Sequence, residues 1–285
     1  MCSFIVYYVF MKKDVSLVYM VAWMSSRFGG KIKQFAKVWP HDSSLIEYSL
    51  YQALPAWFSK IIFIVGKMTE LPFKEMFWDS YQWIPVEYAM QDFDESLRDR
   101  PRGTVDALCS AKNLIHWPFV VCNWDDIYWA NSFKLLFDHL QHSDESVSLW
   151  YILANVIPDQ WSTNRWIFTV DWEDYVQDIK ECLWIQKNTL SEIWLHPEDL
   201  CSMNIFWLTH DALELLDTVL SKFKIEHAGD RKAECYLPVE IAHIIQGEWI
   251  KMKLYPTPDQ WFGVTNPEDE DIVRNQIQEY ENNKR

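Results

Sequence analysis

Glycine is scarce: the chain has 7 glycines in 285 residues, where a soluble domain usually carries about 7%. Cysteine is sparse and dispersed. Cys2, Cys109, Cys122, Cys182, Cys201 and Cys235 include no C-x-x-C pair. That argues against a disulfide scaffold or a zinc ribbon and points to reduced thiols in a cytoplasmic protein. Basic residues are outnumbered, with Lys+Arg 26 against Asp+Glu 41 and a formal net charge of -15. A general nucleic-acid binder or an anionic-membrane binder needs a basic face, so neither partner is expected. A nucleotide held in a pocket is not excluded, because a few cations and backbone N–H groups suffice there. No apolar run reaches the roughly 20 residues of a membrane span. The eight histidines form no H-E-x-x-H, no G-x-S-x-G elbow is present, and no G-K-[ST] follows a glycine-rich turn. The apolar start, MCSFIVYYVF, precedes its positive charge at Lys12 and Lys13. A signal peptide has the opposite order. Residues 1–10 are therefore read as an extension ahead of Met11.

Apolar residues make up 49% of the chain and charged residues 24%, enough to bury a sizeable core. Short, nearly continuous apolar runs at 15–22, 60–65, 85–90 and 118–122 read as strands buried on both faces. Helical spacing lies between them at 45–56, 70–77, 104–113 and 131–141, with Ser43 or Ser44 as the cap of the first. Strands alternating with helices imply βαβ units and a mainly parallel sheet. After residue 145 the texture changes. Strand patterns at 147–156, 165–170, 175–181 and 202–208 follow with fewer helices. Helices return at 210–226 and 238–246, then a strand near 250–255 and a charged helix from about 267. No linker composition divides the chain.

Three constellations could carry chemistry. The first is the loop from Ser25 to Gln34, directly after the first strand, with Gly29, Gly30, Arg27 and Lys33. Two glycines permit a tight turn with exposed N–H groups, and the cations suit a polyphosphate. An ordinary turn with solvated cations fits the spacing as well. The second is Asn123-Trp124-Asp125-Asp126 at the end of the fourth strand. Carboxylates there sit where open α/β sheets bind ligands, and Mg²⁺ needs only one or two of them plus phosphates. A helix cap or turn accounts for them equally. The third is Gln91 with Gly103 and Thr104, where an amide and a close backbone could meet a base edge.

Seven stretches, in order, resemble the sugar-nucleotide pyrophosphorylases, a nucleotidyltransferase family that includes the glucose-1-phosphate thymidylyltransferases. They are MVAWMSSRFGGKIKQFAKVWP, SLIEYSLYQALPAWFSKIIFIVG, PRGTVDAL, FVVCNWDDIYW, CSMNIFWLT, RKAECYLPVEI and DQWFGVTNPED. The resemblance covers most of residues 14–272. It implies an α/β, Rossmann-like GT-A nucleotidyltransferase fold, with a mixed, mainly parallel central sheet and helices on both faces. It further implies one domain over 11–285, with a nucleotide-binding half at 11–145 and a sugar-phosphate-binding half at 146–285. The implied activity transfers a nucleoside monophosphate from a nucleoside triphosphate to a sugar 1-phosphate and releases pyrophosphate. Arg27 and Lys33 would be catalytic. Ala22, Trp23, Gln91, Gly103 and Thr104 would hold the nucleotide, and Asp125 and Asp126 would hold Mg²⁺. Glu181, Asn204 and Lys232 are the sugar-side candidates, and Asp259 is a guess for a second metal ligand. Self-association is left open. The alternatives are a non-catalytic nucleotide-sugar sensor on the same fold, or a nucleotidyltransferase for a non-sugar phosphate.

The chain departs from the family pattern at Trp23, where the family loop has glycine. Tryptophan is also in excess, at 17 residues. Trp39, Trp57, Trp124, Trp129, Trp161, Trp166, Trp172 and Trp207 fall at turn or close-approach positions, where glycine is the natural residue. Glycine at sixteen of the tryptophans, Trp261 excepted, would raise its count from 7 to 23, near the usual share. The expectation is a chain translated with UGA as tryptophan from an organism that reads UGA as glycine. Real tryptophans serving as sugar-stacking platforms are the alternative.

Overall fold

The computed structural model describes residues 14–22, 35, 37, 43–158, 161–257, 259–263 and 269–283. The extension at 1–10, Cys2, and the loop bearing Trp23, Arg27 and Lys33 lie outside the described residues.

Apolar runs become strands where predicted. They are β1 (Ser16–Met20), β2 (Lys60–Val65), β4 (Ile84–Met90) and β5 (Phe119–Asn123). Between them stand α1 (Leu45–Ala53), α2 (Glu70–Phe77), α3 (Thr104–Ser110) and, after β5, α4 (Ala130–His142). Ser44 caps α1 through a reciprocal box: its hydroxyl accepts from Glu47 N–H, and the Glu47 carboxylate accepts from Ser44 N–H at 2.7 Å. The second half contributes β7 (Ser146–Ile152), β8 (Thr163–Val170), β9 (Val176–Ile185), β10 (Leu200–Leu208) and β11 (Met252–Pro256). Its helices are α5 (His210–Glu226), α6 (Leu237–Gln246) and α7 (Asp269–Asn283). Three two-residue strands went unpredicted because so short a run has no periodicity: β3 (Ser80–Tyr81), β6 (Asp126–Ile127) and β12 (Phe262–Gly263).

The main sheet has the order β11-β7-β10-β5-β1-β2-β4-β3. β1 runs parallel to both β2 and β5, and β2 runs parallel to β4. β10 is antiparallel to β5 on one side and to β7 on the other, so it alone reverses within an otherwise parallel run from β4 to β11. The ribbon β8–β9 joins through β8 to β10. Side chains alternate across the sheet into two cores. Leu17, Tyr19, Phe63 and Val120 pack with α1, α2, α4 and α7 residues such as Leu45, Phe73, Phe133 and Ile277. Val18, Ile62, Ile64 and Val121 pack with α3, α5 and α6 residues such as Leu108, Leu213 and Ile241. Helices thus cover both faces, which is why the parallel strands read as unbroken apolar runs.

Candidate active site

Parallel strands end together, and the ends gather the side chains that cannot enter the core. Met20 of β1 is in register with Asn123 of β5. Ala22 and Asp125 therefore leave the sheet side by side. Gln91 follows β4 on the same edge. This is the side on which open α/β sheets bind ligands.

Beyond β5 the chain turns into β6, which pairs with β12, placing Gly263 opposite Asp126. That pairing returns residues 259–263 to the acidic strand end. Asp126 is buried and accepts from Asn123 Nδ2 (2.9 Å) and from the Trp261 indole N–H (2.8 Å). The Tyr128 hydroxyl lies 2.5 Å from the Met203 carbonyl and 3.2 Å from Asp126 Oδ2. It has one proton, and the carbonyl holds it at the shorter distance. The Asp126 carboxylate is the second, longer acceptor of the same hydroxyl. Burial, reinforced by the charge of Asp125, pushes the Asp126 carboxyl up to about 6.

Opposite this pair stands Arg165 of β8. Its Nε and Nη2 both donate to the Val156 carbonyl (2.9 and 2.5 Å), and Nη1 donates to the Asn164 carbonyl and the Thr163 hydroxyl. The guanidinium lies 5.0 Å above the Trp261 ring. Burial lowers the Arg165 guanidinium below its ordinary value, and the charges of Asp126 and Asp125 offset only part of that. Trp261 is itself fitted closely, for a Cβ on Gly263 would fall 2.2 Å from its ring. Asp125, Asp126, Arg165, Trp166, Asn204 and Trp261 are among the residues lining a pocket of about 200 Å³. The pocket thus holds a fixed cation facing an acidic strand end, with an indole floor.

The raised Asp126 carboxyl predicts a pH effect. An unfolded Asp titrates near 3.9. The folded group titrates near 6, so its contribution is fully present below about pH 4 and is lost as pH rises to about 6. The loss is on the order of 3 kcal/mol. Thermal melting of metal-free protein should show this slope, and Asp126→Asn should flatten it. Equal pH profiles for the two proteins would contradict the assignment.

The predicted base turn forms a second cluster. Gln91 is buried, and its Nε2 donates to the Gly103 carbonyl (3.1 Å) and to Asp106 Oδ2 (3.2 Å). Both partners are acceptors, so the amide orientation is set and Oε1 is the atom offered outward. Gly103 has φ 86, and a Cβ there would lie 2.6 Å from the Cys235 carbonyl oxygen. Only glycine fits this contact. Arg98 holds the same loop by donating to the carbonyls of Arg100, Asp230 and Ala233. Thr104, a predicted nucleotide contact, accepts from Leu237 N–H (2.7 Å) at the start of α6. Thr104→Val should cost about 1 kcal/mol, read as a lower midpoint in denaturant unfolding with an unchanged slope. A midpoint equal to the parent's would deny it this role.

The sugar-side candidates separate. Asn204 lines the pocket, with φ 56 and a buried Oδ1 that has no hydrogen-bond partner. Glu181 lies in β9 opposite Trp166, and burial raises its carboxyl while Asn164 bonds it. Lys232 is exposed beside Asp230, whose carboxylate accepts its backbone N–H, and it does not line the pocket. Asp259 is engaged by α4. Its carboxylate accepts from Ser132 N–H and hydroxyl, Asn131 Nδ2 and the Tyr280 hydroxyl. That role caps a helix and leaves the guess of a metal ligand without support. Arg27, Lys33 and Trp23 lie outside the described residues. Arg165 and Trp261 line the pocket without having been candidates from the sequence, because their positions depend on a ribbon and a distant strand meeting at β5. A wider, open hollow of about 630 Å³ lies by Lys67 and residues 92–96, at the ends of β2 and β4. Lys67 is already paired there with Asp92 and Glu95.

No protein-family model and no curated protein sequence matches the chain. Solved structures do. A UDP-glucose pyrophosphorylase complexed with UDP-glucose is similar over 94% of this chain and 99% of its own, at 16% identity and a TM-score of 0.65. A putative glucose-1-phosphate thymidylyltransferase from Bacillus anthracis is similar over 93% of each chain, at 11% identity and a TM-score of 0.65. The inositol-1-phosphate CTP transferase from T. maritima is similar over 94% of this chain and 97% of its own, at 10% identity and a TM-score of 0.65. At these identities the likeness is one of fold: the mixed, mainly parallel sheet covered on both faces is the Rossmann-like fold of those nucleotidyltransferases.

Proposed function

We propose that the protein is a Mg²⁺-dependent nucleotidyltransferase that joins a nucleoside monophosphate, taken from a nucleoside triphosphate, to the phosphate of a sugar 1-phosphate. The observation that carries this reading is the acidic strand end, Asp125 and Asp126, facing the cation Arg165 across a pocket at the carboxyl edge of a parallel sheet. The likeness of fold to enzymes of this class supports it.

Among the described residues no cluster of three or more His, Cys, Asp or Glu side chains could hold a metal. Two adjacent carboxylates alone fit a hard cation that takes its other ligands from water and phosphate. Asp125 would hold it. Asp126 already accepts from Asn123 and Trp261 and acts beside it as a positioning group. When bound, the ion would neutralise charge on the triphosphate.

The chain's own residues do the rest. A sugar phosphate oxygen attacks the α-phosphorus in line, the bond from that phosphorus to the bridging oxygen breaks, and pyrophosphate leaves. No covalent enzyme intermediate is needed, so positioning and charge carry the catalysis. Arg27 and Lys33, which follow Ala22 in sequence, would hold the triphosphate and stabilise the departing pyrophosphate. Arg165 would draw the acceptor phosphate to the pocket. Gln91 Oε1 would accept from a base N–H, such as N3–H of uracil or thymine.

Pyrophosphate release tests the reading. Each nucleoside triphosphate is paired with hexose 1-phosphates and with inositol 1-phosphate, in the presence of Mg²⁺. Release with a hexose phosphate is expected. Release with inositol phosphate alone would shift the acceptor to a polyol, the reading favoured by the T. maritima likeness. Thermal stabilisation by a nucleotide sugar with no release from any pair would make the protein a sensor.

A further inference from the structure

Glycine is required where the backbone enters the left-handed half of φ/ψ space, because a Cβ is strained there. Among the described residues, nine non-glycine residues have φ above zero, and five of them are tryptophan: Trp57 (φ 61), Trp78 (φ 51), Trp83 (φ 71), Trp184 (φ 57) and Trp194 (φ 61). By its share of the chain, tryptophan would supply fewer than one of nine.

Each of the five occupies a device built for glycine. Trp57 and Trp194 end 3-10 turns in left-handed conformations, with ψ 45 and 30, and Trp78 ends α2 with ψ -133. The helix C-terminus is the commonest site of left-handed glycine. The ψ of Trp78 falls in the mirror image of the extended region, which only glycine enters readily. Trp83 is the second residue of the two-residue hairpin between β3 and β4, where Tyr81 pairs Ile84. Both loop residues, Gln82 and Trp83, have positive φ, the mark of a type I′ turn, whose second position favours glycine. Trp184 lies in a β-bulge. Arg165 pairs Cys182 and Thr163 pairs Ile185, so Leu183 and Trp184 together oppose Asn164. A left-handed glycine is the usual residue of such a bulge.

The indoles do little to offset the strain. All five side chains are exposed, Trp83 at 96% and Trp194 at 91%. Tryptophans that belong to the fold look different. Trp261 bonds Asp126 and lies under Arg165. Trp129 is buried, donates to the Gln260 carbonyl, and packs against Tyr48, Phe262 and Tyr280. The sequence expectation treated sixteen tryptophans alike. The backbone separates them, and Trp129, counted among the sixteen, is fitted as tryptophan.

We propose that the native protein carries glycine at positions 57, 78, 83, 184 and 194, inserted where UGA codons have been written as tryptophan. The inference stands on backbone geometry and does not rest on the proposed reaction. Peptide mass mapping of the protein purified from its source organism tests it. Glycine at the five positions, with tryptophan at 261, is the expected result. Tryptophan at the five positions overturns the proposal. A second measurement uses the chain as written. Trp83→Gly and Trp78→Gly should each melt higher than Trp83→Ala and Trp78→Ala, by roughly 2 °C per position. Both variants lose the indole, so the difference reads the backbone alone. Glycine variants that melt at or below their alanine counterparts would remove its physical basis.

Discussion

Asp125→Asn is expected to lower pyrophosphate release by on the order of 10³-fold, several kcal/mol of barrier, while leaving the protein folded. The physical reason lies in how the two carboxylates differ. Asp126 is buried and tied to Asn123 and Trp261, and its proton affinity is raised. Asp125 lines the pocket. An amide keeps the shape of Asp125 but loses the charge that a divalent ion requires. Stability should not fall, because the Asp125 charge is one of the causes that raise the Asp126 carboxyl. Its removal relieves a repulsion. The measurement is turnover with Mg²⁺ alongside a melting curve. Unchanged turnover in a folded variant would remove Asp125 from the reaction.

Arg165→Met is expected to cost about 3 kcal/mol of stability near pH 7, because it leaves buried acceptors without their donor and removes the positive charge that offsets Asp126 across the pocket. The guanidinium serves three oxygen acceptors, the Val156 and Asn164 carbonyls and the Thr163 hydroxyl. A thioether serves none of them. The loss should shrink near pH 5, where Asp126, which titrates near 6, is largely protonated and no longer misses a counter-charge. Arg165→Lys should recover part of the stability and less of the activity, since an ammonium cannot reproduce the planar fork. In turnover, the larger change should fall on KM for the acceptor phosphate. Denaturant unfolding at the two pH values separates this from a packing defect, which would cost the same at both. A pH-independent loss would sever the link between Arg165 and Asp126.

The strand ends also show what a linear reading could reach. Gln91, Asp125 and Ala22 were legible because each follows an apolar run, and a parallel sheet collects such positions on one edge. Arg165 was not legible. It sits in a strand pattern in the second half, and nothing nearby in sequence announces a binding site. Thr104 and Asp259 mark the opposite limit. Both have side chains suited to ligands, and the fold also bonds them to the starts of α6 and α4. Sequence cannot distinguish a hydroxyl that caps a distant helix from one that meets a substrate.

The order and type of the main elements were determined by sequence alone, because apolar periodicity reports which faces are buried, and burial dominates the stability of long elements. The acidic strand end came with it, as did the surplus of tryptophan over glycine. Only the tertiary structure decided that Arg165 and Trp261 close the pocket over Asp126, because those contacts join residues up to 135 positions apart through the meeting of β8, β5 and β12. It also decided which tryptophans stand on glycine-type backbone. Composition counts residues, whereas the sign of φ is set by the turn, cap or bulge that the neighbouring elements impose.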